Sequence, residues 1–231
     1  MRAGDDLAAL IAAAAPDLRD GDVVVIAQKV VSKAEGRTRA LADVEPSARA
    51  RDLAAEGDKD PRLVQVVLDE TTELLRADHG VLICLTHHGF VCANAGVDMS
   101  NSPGEGVAIL LPADPDASAR RIRSALPARV GVVISDSFGR PWRLGVTDVA
   151  IGAAGIEVLE DLRGRPDAHG REMRATEVAL ADQLAGAADL ARTKTSQEPV
   201  VLVRGMARAV TDADGPGAAA LRRPRSIDMF R

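Results

Sequence analysis

An α+β fold is what this chain of 231 residues predicts, and two observations carry the prediction. Apolar runs of strand length recur along the chain, and helical stretches opened by Asp or Pro lie among them. Their alternation is too irregular for a doubly wound sheet, and no repeat or flexible linker divides the sequence. Asp5 and Asp6 cap an Ala-rich helix that ends at Pro16, and Asp20-Gly21 turns into the apolar strand Val23 to Ala27. The segment 28–37 reads as a polar strand end followed by a basic loop. Pro46 and Asp60-Pro61 start helices near 46–56 and 61–70. Strands are expected near 72–77, 81–86 and 90–95, then a long Gly-rich loop over 95–106. A strand at 107–111, a helix from Asp114-Pro115 and a buried strand over 130–135 follow, and the last of these runs out into a loop at Asp136. Small apolar residues fill 146–156, a helix is expected over about 171–191, and a strand over 200–204. The expected organisation is a domain over 1–210 and a Gly/Pro-rich tail over 211–231.

Composition excludes several functions. At 46% hydrophobic and 27% charged, the chain has the makings of a substantial core, and it lacks an apolar stretch near its start long enough for a signal or membrane span. A cytoplasmic location is the expectation. Three Phe, one Trp and no Tyr leave little for base stacking, and a net charge of −5 argues against general nucleic-acid binding. Cys84 and Cys92 flank the turn at His87-His88-Gly89 and should face each other as small core residues. The four histidines are scattered, with no zinc spacing. The P-loop, the dinucleotide fingerprint and the serine-hydrolase elbow are all absent.

What the sequence offers is a pair of carboxylates, Asp98 and Asp136, each after an apolar strand and each beside hydroxyl or amide groups: Ser100, Asn101 and Ser137. Hard cations such as Mg2+ or Mn2+ take such oxygens and keep positions open for phosphates. Lys29, Lys33, Arg140 and Arg143 are candidate clamps for phosphate or carboxylate. Asx turns would explain both aspartates equally well, and Asp148 is a weaker candidate that a structural carboxylate role explains as well.

Several blocks, taken together and in order, resemble the coenzyme F420-0:L-glutamate ligases, or γ-glutamyl ligases. They are Gly4-Asp5-Asp6-Leu7, the run from Asp20 through Arg37, Asn94-Ala95-Gly96-Val97-Asp98 with Ser100-Asn101, Asp114 to Ala119, Ile134 to Gly155, Thr176 to Asp182, and Pro199 to Gly205. The resemblance implies mixed sheets with flanking helices and an intertwined homodimer. It implies GTP-dependent addition of L-glutamate to coenzyme F420-0, then of further γ-linked glutamates, through an acyl phosphate and with Mn2+ or Mg2+. By the same resemblance Asp98, Asp136 and Ser137 match metal positions, and Gln28, Lys33 and Asn101 match nucleotide positions, with Lys29 beside them. Asp136, Arg140 and Arg143 would serve the phosphoryl transfer. Relatives commonly carry a small hydroxyl residue where Gln28 stands. Lys194 stands near where archaeal relatives place a metal-binding glutamate; it resembles actinobacterial members, and its charge would replace that of a second ion. Relatives also have a strand and loop ahead of the Gly-Asp-Asp-Leu block. Residues 214–231 resemble the junction of the actinobacterial bifunctional enzyme, so the expectation is its ligase half, without the nitroreductase-like domain. Two other readings stand beside this one: a phosphotransferase or phosphatase using Asp136 as nucleophile, and a non-catalytic deazaflavin-binding remnant.

Overall fold

The computed structural model describes residues 1–192 and 196–229, and its class is α+β. The chain forms two compact units, each assembled from separated stretches.

One unit comprises Leu7–Ala27, Pro115–Ser137 and Thr147–Arg231. Its centre is strand β1 (Val23–Ala27), where Val23, Val24, Val25 and Ile26 are fully buried. A strand this apolar on both faces needs cover on both sides. It pairs in parallel with β7 (Gly131–Arg140) and antiparallel with β11 (Val200–Val203), and β8 (Arg143–Ala154) flanks β7. Helix α6 (Leu180–Ala191) lays Leu180, Leu184, Ala185 and Ala188 into the core with Val23, Val25 and Val133, the i, i+4, i+5, i+8 spacing of one helical face. Helix α1 (Leu7–Ala14) packs near α5 (Pro115–Ala125). Residues 207–221, beyond the last strand, carry two short 3-10 turns and are integral to this unit. Asp116 accepts hydrogen bonds from the amides of Ala153, Ala218 and Ala219, and Ala218 is buried. Gly217 has φ +74°, and a Cβ there would lie 2.3 Å from the Asp116 carboxyl carbon, so only glycine fits.

The other unit comprises Met1–Asp6, Gln28–Asp114 and Phe138–Val146. Its three-stranded sheet runs β3 (Thr71–Asp78), β4 (Val81–Thr86), β5 (Val91–Ala93), with a two-stranded ladder of β2 (Thr38–Ala40) and β6 (Val107–Ile109). Helices α3 (Ala48–Gly57) and α4 (Pro61–Asp69) bury Ala50, Ala54, Val64 and Val67 in a core with Leu82 and Cys84. Both begin as the sequence signals: Ser47 accepts from the Ala50 amide, and Asp60 accepts from the Arg62 amide ahead of Pro61. Cys84 and Cys92 are directly opposed across β4 and β5, both buried and not joined by a disulfide.

Three expectations are corrected. Residues 28–34 are a helix, α2 (Gln28–Ala34), and not a strand end and loop. Val30 and Val31 suggested a strand, but both are buried on a helical turn that the Gln28 amide ties to the Ser32 hydroxyl four residues on. Asp136 lies within strand β7 and not in a loop after it, because β7 continues to Arg140 beside β8, where Asp148 receives the Ser135 and Ser137 hydroxyls. Helix α6 begins at Leu180 and not near 171. The Arg171, Met173 and Thr176 carbonyls accept from the amides of Asp167, Gly164 and Leu162, and the Met173 amide donates to the Arg165 carbonyl, so the backbone of this stretch is spent across an arm of the chain and not along a helix.

Candidate active site

Helix α2 aims two lysines from one face, since Lys29 and Lys33 are four residues apart. Lys29 contacts Asp98 Oδ2 at 2.6 Å and the Ser100 hydroxyl. Asp98 is fixed by its backbone, which exchanges both hydrogen bonds with Ile109 at 3.0 and 2.8 Å. Its carboxylate closes an Asx turn, accepting from the Ser100 amide at 2.7 Å and the Ser100 hydroxyl at 3.0 Å. Burial opposes ionisation of Asp98, but the Lys29 ammonium and the Ser100 donors outweigh it and hold the carboxyl below its ordinary value. Lys33 donates to the Asn101 carbonyl at 3.1 Å, and Asn101 has φ 55°, a left-handed conformation that asparagine tolerates. Burial, then the neighbouring Lys29 charge, pushes the Lys33 ammonium below its ordinary value. A lysine so placed gains from an arriving anion.

Gln28 is buried at the start of the same helix. Its amide nitrogen donates to the Ser32 hydroxyl at 2.6 Å and the Leu110 carbonyl at 2.9 Å, so both of its hydrogens are committed within the protein. Arg140 and Arg143 belong to the same unit, at the turn between β7 and β8. Arg140 donates to the Leu144 carbonyl at 3.0 Å, while its buried Nε has no partner among the described residues. Arg143 is exposed.

In the other unit, β7 emerges from the core and delivers Ser135, Asp136 and Ser137 in succession. Side chains alternate along a strand, so Ser135 and Ser137 share a face and Asp136 occupies the opposite one. On the serine face stands Asp148 of β8, 3% exposed. It accepts from the Ser135 hydroxyl at 2.9 Å and the Ser137 hydroxyl at 2.6 Å, and pairs with the buried Arg192 guanidinium. Sequence reading left Asp148 as a minor candidate and passed over Arg192. The available signal was a carboxylate at strand spacing inside the small apolar run 146–156. Lys194 lies outside the described residues.

No three His, Cys, Asp or Glu side chains cluster for a metal among the described residues. The donors present are carboxylate and hydroxyl oxygens, which suit a hard ion that keeps water and phosphate ligands and do not suit zinc. Nor is any described helix long and apolar enough to cross a membrane.

Residues 1–205 match the F420-0:Gamma-glutamyl ligase family. The chain belongs to that family, and it is a ligase. Among γ-glutamyl ligase relatives, the coenzyme F420:L-glutamate ligase of Methanopyrus kandleri is 48% identical over 237 residues, covering 100% of this chain and 93% of the relative. The enzyme of the same name from Methanothermobacter thermautotrophicus is 44% identical over 238 residues, covering 99% and 94%. That from Halobacterium salinarum is 47% identical over 209 residues, covering 87% and 81%.

Proposed function

We propose that this γ-glutamyl ligase joins L-glutamate to coenzyme F420-0, and then adds further γ-linked glutamates, with GTP as the activating co-substrate. The observation that carries the reading is near-full-length similarity to enzymes named for this reaction, on a chain that retains the acidic, hydroxyl and lysine groups such chemistry needs. A carboxylate resists attack by an amine at neutral pH, so its oxygen is first phosphorylated by GTP, releasing GDP. The glutamate amine then displaces phosphate from the acyl phosphate, forming the amide. Asp98, Asp136 and Ser137 are the groups whose oxygens would take divalent cations, Mn2+ or Mg2+. Such ions, when bound, neutralise phosphate charge. Lys33, made receptive by burial, and Lys29 take phosphate oxygens of the nucleotide, with Asn101 and the Gln28 carbonyl oxygen as further contacts. Arg140 and Arg143 serve anionic groups of the substrates, and the chain acts as a homodimer.

The test is to incubate the protein with coenzyme F420-0, L-glutamate, GTP and Mn2+ and follow product mass and GDP. Added glutamyl masses with matching GDP are expected. Phosphate release without glutamate incorporation would replace the ligase reading with a phosphatase, and tight deazaflavin binding without turnover would leave a binding remnant. Asp136→Asn should keep its unfolding transition yet lose GDP formation by at least about a hundredfold; unchanged turnover removes Asp136 from the metal set.

A further inference from the structure

We infer that Trp142, at the tip of the hairpin joining β7 to β8, is the stacking platform for the flat deazaflavin ring of coenzyme F420-0, with Arg143 beside it for the acidic tail of the same molecule. The inference rests on the reading above that coenzyme F420-0 is the acceptor.

The tip is Pro141-Trp142, between Arg140 at the end of β7 and Arg143 at the start of β8. A turn with proline at its first central position and a positive φ at the second ordinarily takes Gly or Asn there. Trp142 stands in that place with φ 56°, a conformation that strains a bulky side chain. Burial does not repay the strain, because the residue is 82% exposed. It is also the one tryptophan in a chain with three Phe and no Tyr. Strained positions of this kind cluster where ligands are held. The neighbours indicate the ligand. Residues 141–146 are all exposed, and Leu144, at 99%, shares a face of β8 with Val146. Arg140 braces the tip by donating to the Leu144 carbonyl at 3.0 Å, and Arg143 presents an exposed guanidinium. An indole, an apolar strip and a cation together fit a flat heteroaromatic ring that carries an anionic tail. The guanine of GTP shares that chemistry. However, residues 139–146 include no carboxylate, amide or hydroxyl side chain to read the edge of a purine, and a three-ring system covers more of the apolar strip. A second copy of the chain fits this tip less well. Even at the roughly 250 Å2 that the largest side chains bury, Trp142, Leu144 and Val146 fall short of the roughly 800 Å2 per partner of a stable protein interface.

The experiment uses the whole protein and the emission of Trp142, which no other tryptophan obscures. Coenzyme F420-0, titrated without GTP or glutamate, is expected to quench that emission along a saturable curve, and GTP titrated alone should leave it in place. Trp142→Leu should raise the Kd for coenzyme F420-0, measured by equilibrium dialysis, by at least about fivefold, and Trp142→Phe should recover most of that loss. In turnover, the KM for coenzyme F420-0 should follow while the KM for GTP holds. Trp142→Gly should weaken binding at least as much and yet keep or raise the unfolding midpoint, since glycine takes this turn without strain. A lowered midpoint would assign the ring to the fold and overturn the inference. If the parent protein does not bind coenzyme F420-0 at all, the acceptor reading fails and this inference fails with it. If the parent binds, then parental affinity in Trp142→Leu, or an emission that coenzyme F420-0 leaves unchanged, overturns the inference alone. So does quenching by GTP with a raised KM for GTP, which gives the indole to guanine. Dissociation of Trp142→Leu in light scattering, with affinity for coenzyme F420-0 kept, gives it to a second copy and overturns the inference as well.

Discussion

Asp148 and Asp98 are carboxylates held by a cation and serine groups, but one is 3% exposed and the other's side chain is 44% exposed. Around Asp148 the partners come from the neighbouring strand and the end of α6, buried or partly buried, and each donor fits a fixed acceptor. Around Asp98 the partners are a lysine at the surface of α2 and the next turn of the same loop. The difference separates two kinds of polar site. The buried one is pre-organised, costly to break and insensitive to salt; the half-exposed one is weakly bound to itself and free to trade Lys29 or Ser100 for an incoming ligand.

The largest expected effect breaks the buried site. Arg192→Met leaves the Asp148 charge without its cation in the core and should cost about 3–5 kcal/mol in urea unfolding. A loss under about 1 kcal/mol would put this pair in the same class as the exposed one. A smaller effect tests whether the unit bearing Asp98 has a partly buried ionisable group that matters to its stability. His88 is half-buried, with Nε2 at 2.8 Å from the Pro112 carbonyl, and that burial lowers its pKa below the ordinary 6.5. The unfolded chain therefore takes up a proton that the folded one refuses, so stability should fall as pH drops below about 6.5 and level off once the folded pKa is passed. His88→Gln should flatten that fall in unfolding midpoints taken between pH 7.5 and 5; an unchanged profile would remove His88 as its source. The smallest stability effect belongs to Lys29→Met, at most about 1 kcal/mol and shrinking with added salt. Its mark should instead be a raised KM for GTP with kcat largely kept, and a lowered kcat at unchanged KM would count against a ground-state role for Lys29.

Fold class, most strands and the capped helices α3 and α4 were legible because caps, proline and apolar runs act locally. The opposed cysteines were legible too, since a short turn between strands sets the register. Helix α2 was not, because Val30-Val31 favours a strand until tertiary burial and the link from Gln28 to Ser32 decide otherwise. Asp136 looked like a turn residue because polar side chains after an apolar run usually end a strand. Here a carboxylate on the neighbouring strand satisfies the serines and lets the strand continue. The pairing of Lys29 with Asp98, 69 positions apart in sequence, and that of Asp148 with Arg192, 44 apart, depend on chain paths that no local pattern encodes.

The stretch that matches the family stops at residue 205, but the packing and the similarity to individual relatives both run on past it. Ending the chain there would take away two of the three amides that satisfy Asp116, together with the Ala218 side chain, which is 1% exposed. It would also remove Asp214, which pairs with Arg123 at 2.7 Å. The edge of the family match is therefore not an edge of the fold. Anyone dividing the molecule should not cut at residue 205, since residues 207–221 belong to the same compact unit as the strands before them.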